Sequence, residues 1–411
     1  MVSLPDMKKL LIICYSNLNS DPRILRHYNA LKNNFQIYTA GLADLDPSLP
    51  FVKLEAIAET PRYSFHLKLP VFLRKIFSLL IRLEDGFRRN VSEIKRKSGE
   101  QNKSSYFERK YWKQERLNAL AALSVNAYDI ILANDIDTLP MALGLKGPET
   151  KIIIDCHEYH PLEFEEDVSW VKETKPYNEY LCKEYLPKAD LMFTVCKGIA
   201  SKYASEYSLN PVVITNAASY AELHPSPTAP DNIRMIHHGV GGPSRQIERM
   251  IDLFMYLDHR FSLDLMLVSL SKEYRQILLD RIGKNTKVRL IEPVSTQMIV
   301  SKLNSYDIGL YILPPVNFNS KYALPNKLFE FIQARLAIAI GPSPEMAYYV
   351  KKYKLGIVSE TFEAECLAKE LNKLTASEIE AFKNNVDGAA FELSAEKNGT
   401  LIREMAQKIV S

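Results

Sequence analysis

The chain has 411 residues, 46% apolar and 25% charged, with a formal net charge of +3, which allows two hydrophobic cores and is too slight a charge for a nucleic-acid binder. Its five cysteines, Cys14, Cys156, Cys182, Cys196 and Cys366, are odd in number and lack C-x-x-C spacing, which argues against a disulfide framework or a structural zinc and predicts a reducing, cytoplasmic setting. No uncharged apolar run reaches about 18 residues, so no membrane span is expected, and the run Leu10 to Cys14 does not read as a secretory signal.

In chain order, KKLLIICYS, DPRILRHYNALKNN and FQIYTAGL read as strand, helix and strand. The alternation resumes with strands at 129–135, 151–158, 191–196 and 211–217, each apolar on both faces as a covered parallel sheet requires. Between them, residues 62–117 hold 15 Lys/Arg against 6 Asp/Glu, a local net charge of +9. Leu73, Ile76, Phe77, Leu80 and Leu83 recur there at helical spacing among the cations. That pattern suits either a helix on an anionic membrane surface or a core-packed helix with a solvated basic face.

AELHPSPTAPD, 221–231, reads as a linker, after which NIRMIHHGV, DLMLVSL, KVRLIEPV, DIGLYILP, LAIAIG and LGIVSE repeat the same grammar. The predicted fold is α/β: two Rossmann-like, doubly wound parallel-sheet domains facing across a cleft. The first covers 1–218 with a basic helical insertion at about 62–117, and the second covers 230–390. A C-terminal helix, 391–411, is expected to pack back on the first domain.

In such sheets ligands collect beyond the carboxyl ends of the strands, so those ends carry the candidates. Ser16, Asn17, Asn19 and Ser20 form a polar loop without a G-x-G-x-x-G fingerprint, which disfavours NAD or FAD. Asp21 is a candidate N-cap, Pro22 a first helical residue, and Arg23 and Arg26 emerge toward the cleft or onto the surface. Asp135 and Asp137 end one strand, Asp137 serving a ligand or capping a helix. Asp155, His157, Glu158 and His160 crowd another strand end, where they hydrogen-bond a sugar hydroxyl, move a proton, or ligate a metal. In HHGVGGPSR, Gly239, Gly241 and Gly242 admit a phosphate to the backbone or form a plain turn, with Arg245 adding a permanent charge. Lys327 and Glu330, at i and i+3, form either a grip on diphosphate and ribose or an ordinary surface pair.

The ordered set SDPRILRHYNAL, NDIDTLP, DCHEYHP, VCKGIASKYASEY with ITNA, GVGGPSR, and LPNKLFEFIQA with GPSPE resembles GT-B glycosyltransferases, specifically glycosyltransferase family 4, over most of the chain. The resemblance implies transfer of a sugar from a UDP- or GDP-linked donor to a glycan or lipid-linked acceptor hydroxyl. It also implies retained anomeric configuration and no metal. Carried over by position, Arg245 and Lys327 hold the diphosphate, Glu330 the ribose and His157 the reacting sugar, while Gly239, Gly241, Leu328 and Ser343 to Glu345 line the donor side. Ser16, Asn17, Arg23, Asp135, Asp137 and Glu158 fall on the acceptor side. The chain departs from the family at Tyr322, where a carboxylate is common, at Arg335 and Ala337, where glycine and proline are common, and at the glycine-free loop Ser16 to Ser20. Two alternatives stay open: a nucleotide-sugar epimerase of the same architecture, using the acids and histidines of the cleft to move a proton, or, from the departures at Tyr322 and Arg335, a non-catalytic nucleotide-sugar-binding subunit.

Overall fold

A computed structural model describes residues 7–55 and 100–411. The apolar-basic stretch around Leu73 to Arg89 lies outside these residues. Two parallel sheets account for the apolar runs. The first contains β1 (Lys9–Ile13), β2 (Gln36–Gly41), β3 (Phe51–Lys53), β4 (Ile130–Asn134), β5 (Lys151–Cys156), β6 (Leu191–Thr194) and β7 (Val212–Val213), in the order β3-β2-β1-β4-β5-β6-β7. The second contains β8 (Ile233–Val240), β9 (Phe261–Val268), β10 (Val288–Ile291), β11 (Ile308–Tyr311), β12 (Ala337–Ile340) and β13 (Gly356–Val358), in the order β10-β9-β8-β11-β12-β13. Both are doubly wound, with switch points between β1 and β4 and between β8 and β11.

β3 carries no sequence signal, since three residues between prolines and charges show no periodicity. PVVITNA shrinks to two paired residues because it forms the sheet edge. Asp21 caps the helix Pro22–Leu31 as expected, accepting from the Arg23 and Ile24 amides. The described cysteines are free, and all but Cys366 are buried.

The hydrogen bonds across the cleft join segments that follow strands, so the carboxyl edges of the sheets face each other. Arg26 reaches Asn326 Oδ1 at 3.3 Å and Asn216 Oδ1 at 3.0 Å. The Asn319 amide pairs with both backbone groups of Tyr159, at 2.8 and 3.2 Å. One apolar cluster continues through the seam, with Tyr159, Cys196 and Ile199 on one side and Leu324, Leu328 and Met346 on the other. The helix Ala395–Lys408 crosses back to lie on Pro22–Leu31, with Gly399 so close to Ala30 that an added Cβ would stand 3.4 Å from Ala30 Cβ. The helix Asn326–Gln333 packs more tightly still on β11, where a Cβ at Gly309 would fall 2.4 Å from Phe331 Cγ and collide with the ring.

The linker is strapped to the second domain by two buried cations. Lys383 donates to Ser226 O at 2.6 Å. Arg335 donates to Ala221 O at 2.8 Å, to Gln333 O at 2.7 Å and to Asp387 at 2.6 Å. Arg335 does this at φ +62°, a left-handed conformation that favours glycine. The side chain therefore holds a backbone posture that glycine would reach without strain. Arg335→Gly relieves about 1 kcal/mol of strain but leaves the buried Gln333 carbonyl and the half-buried Ala221 carbonyl without this donor, at about 1–3 kcal/mol each. Chemical denaturation is expected to show a net loss of about 2 kcal/mol, and an unchanged or raised midpoint contradicts the strap.

Candidate active site

Lys327 lies in the first turn of the helix Asn326–Gln333, beside the β8/β11 switch point. Three groups hold its ammonium. His237 Nε2 is 3.3 Å away, the Tyr311 ring centroid 4.1 Å away, and the bare backbone of Gly239 lies so near that a Cβ there would stand 3.3 Å from Nζ. Gly239 has φ +120°, so glycine is required on conformational grounds as well. The exposed Arg245 ends a single turn, Pro243–Arg245, and its charge acts on both Tyr311 and Lys327. Burial and the Arg245 charge push Lys327 down to about 7, while Glu330 acts in the opposite direction. Two cations thus converge on one strand end with a single half-buried carboxylate for balance, and an arriving anion is favoured there.

Glu330 is raised above its ordinary value, chiefly by burial. His238 Nε2 stands 3.3 Å from Glu330 Oε2 yet makes no hydrogen bond, and burial together with Lys327 pushes His238 down to about 3. It is a neutral, unpartnered nitrogen at neutral pH.

Across the cleft, Asp155 ends β5 fully buried, bound by Arg23 Nε at 2.7 Å and Nη2 at 2.8 Å, with His27 Nε2 at 2.9 Å. Arg23, expected to face an acceptor, is instead 3% exposed and committed to this pair. Asp135, at φ +64°, takes His157 Nδ1 and His160 Nε2, both at 3.3 Å. Burial alone would raise Asp135, but these imidazoles hold it well below the usual carboxylate range. Burial likewise opposes the charged form of His157, yet Asp135 keeps it above its ordinary value. His157 Nε2 is buried without a hydrogen-bond partner. Asp137 does not cap a helix through its side chain, and burial together with Asp135 pushes it up to about 7. Glu158 is exposed. Among the described residues no group of three or more His, Cys, Asp or Glu is placed to hold a metal ion.

The remaining expected residues have other engagements. Glu345 spends both carboxylate oxygens on the Gly198 amide at 2.7 Å and the Lys197 amide at 3.3 Å, capping the helix Lys197–Tyr207 of the opposite domain. Ser343 is buried before the helix Pro344–Tyr353, and Leu328 lies in the core. Gly241 bonds Val268 O at 2.8 Å with Leu270 and Leu267 against it. Ser16 donates to Cys14 Sγ at 3.2 Å, and Asn17 bridges to Ala43. Tyr322 packs its ring on the Gly198 backbone, where a Cβ would collide at 2.0 Å. Tyr311 and the pair His237 and His238 carry no donor-site expectation from the sequence. Two imidazoles inside a strand buried on both faces were the available signal.

Lys327's folded-state value of about 7 lies below its ordinary 10.5, so the unfolded chain binds more protons between those pH values. The stability contribution of this group therefore rises with pH across the window and is least favourable below pH 7. Lys327→Met is expected to be more stable than the parent at pH 6, with the advantage shrinking toward pH 10 in chemical denaturation. A difference independent of pH contradicts the assignment.

No protein-family model matches the chain, and no curated protein sequence matches it significantly. Solved structures do. TarM of S. aureus, in complex with fondaparinux, α-GlcNAc-glycerol and UDP, gives a TM-score of 0.58 at 12% identity, covering 73% of this chain and 59% of that one. HepE of Anabaena in complex with UDP gives 0.64 at 12% identity over 97% and 100% of the two chains. Sucrose-phosphate synthase of Thermosynechococcus elongatus gives 0.68 at 11% over 98% and 99%. The chain thus spans 59% of the length of TarM. At these identities the likeness establishes the architecture, two Rossmann-like domains facing across a cleft as in GT-B glycosyltransferases.

Proposed function

We propose that the chain is a glycosyltransferase of family 4 type, moving a hexosyl group from a UDP- or GDP-linked donor to a hydroxyl of a glycan or lipid-linked glycan, with retention and without a metal. The observation that carries this reading is the convergence of Lys327 and Arg245 around Tyr311 at the β8/β11 switch point. A leaving nucleoside diphosphate gains negative charge as the glycosidic bond breaks, and preorganised cations stabilise that charge most in the transition state. Glu330, one helical turn on, suits ribose hydroxyls. An open cavity of about 370 Å³ at the carboxyl ends of β9 and β10, lined by Leu267, Ser269, Arg275 and Glu292, has room for the base end of a nucleotide. His157 Nε2, lacking a partner on the opposite wall, suits a hydroxyl of the transferred sugar.

Lys327→Ala combined with Arg245→Ala is expected to abolish thermal stabilisation by UDP and GDP. In the parent this stabilisation amounts to about 2.7 kcal/mol at a hundredfold excess over the dissociation constant. Equal shifts in parent and variant remove the diphosphate assignment.

A non-catalytic binding subunit is the second reading, favoured by Tyr322, which fills the seam against Gly198 where a carboxylate is common. It predicts nucleotide-sugar binding with neither transfer nor donor hydrolysis on any acceptor. In both readings the basic segment 62–117 brings the protein to an anionic membrane surface. Flotation with anionic liposomes and not with neutral ones is the expected result, and equal flotation with both counts against it.

A further inference from the structure

His237 has no part in the donor contacts assigned so far, yet it is fully buried and touches the one lysine on which they depend. Its Nδ1 lies 2.9 Å from Leu310 O. A carbonyl only accepts, so Nδ1 carries the proton, and Nε2, facing Lys327 Nζ, is left as a bare lone pair. The ring stacks on Tyr311 at 5.6 Å between centroids and 18° between planes, and Tyr311 presents its face to the same ammonium. Burial and the Lys327 charge keep His237 well below its ordinary value, so it accepts throughout the neutral range.

We propose that His237 is a positioning residue, whose Nε2 lone pair, fixed by the Leu310 carbonyl and backed by Tyr311, holds the protonated form of Lys327 at the place where a nucleoside diphosphate arrives. The inference rests on the donor reading above and extends it to a device that makes donor affinity depend on pH. The charged and titratable groups around Lys327 define that device. His237 and His238 come from β8, Tyr311 from β11, Arg245 from the glycine loop and Glu330 from the lysine's own helix, while Arg26 faces Glu330 from the first domain. The histidines stay neutral through the neutral range, so Lys327 is the cation whose charge changes near neutrality. An acceptor at Nε2 favours its ammonium over its amine. Loss of that acceptor displaces the titration to lower pH and weakens binding most where the amine begins to dominate.

The test uses the full chain with UDP as probe. His237→Phe keeps a ring on Tyr311 and excludes water but removes the acceptor, whereas His237→Gln returns a carbonyl oxygen within reach of Nζ. The expected result is a Kd raised roughly tenfold at pH 8 and less than about threefold at pH 6 for the Phe variant, with the Gln variant restored toward the parent. On a Lys327→Arg background, whose charge is permanent, the difference between pH 8 and pH 6 should vanish. An equal loss at both pH values marks a merely structural role and overturns the proposal, as does an unchanged Kd. A second measurement needs no variant: nitrogen NMR of the parent should find His237 Nε2 unprotonated, with a resonance that moves as Lys327 titrates near pH 7. A protonated or insensitive Nε2 overturns the proposal even where UDP binds. A parent protein that binds no nucleoside diphosphate, with Nε2 behaving as stated, leaves the His237–Lys327 device standing and removes the donor reading.

Discussion

Parallel strand pairing sends every segment that follows a strand to the same edge of its sheet, and here two such edges are set against each other. All the polar chemistry described above follows from that constraint. Arg26 comes after β1, Tyr159 after β5, Asn216 after β7 and Glu345 after β12, yet all bond across the same seam. Hydrogen bonds across it run mostly from side chain to backbone. Asn319 reads the peptide of Tyr159, and Glu345 reads the first amides of the helix Lys197–Tyr207. Such contacts fix the mutual placement of the sheets without needing a large matched surface of side chains.

The two walls differ in electrical character. On the first-domain side, charges are compensated: Asp155 is matched by Arg23 and His27, and Asp135 by two imidazoles. On the second-domain side, Lys327 and Arg245 share one half-buried carboxylate, and the nearest histidines are held neutral by burial and by the lysine itself. A polyanion gains most from the second wall, and a neutral, hydroxyl-rich group finds hydrogen-bonding partners on the first. That asymmetry is the electrostatic basis of the proposal that a nucleotide lies on one side and a sugar at the boundary.

The strand pattern was legible because strands covered on both faces are written as unbroken apolar runs, and the linker because prolines interrupt that grammar. β3 was not legible, since three residues carry no period. Among candidate residues, position could be read but engagement could not. Arg23 and Arg26 stand three residues apart in the same helix, yet one is sealed against Asp155 while the other bridges two domains. Glu345 sits in a turn that suits a ligand and is taken by a neighbouring helix end instead. Arg335 occupies a left-handed position that sequence would assign to glycine, because long-range bonds to the linker outweigh a local preference. In each case the partner lies more than 100 residues away along the chain or across the seam, where no local pattern points.

The return of the helix Ala395–Lys408 to the helix Pro22–Leu31 has a consequence for biosynthesis. Ile402 and Ala406 belong to the same buried cluster as Ile24, Ala30 and Leu31, so during synthesis this flank of the helix Pro22–Leu31 stays wet until residue 406 has been made. The helix Pro22–Leu31 therefore has its apolar stripe covered only by residues made several hundred positions later, and until then that stripe is open to other apolar surfaces.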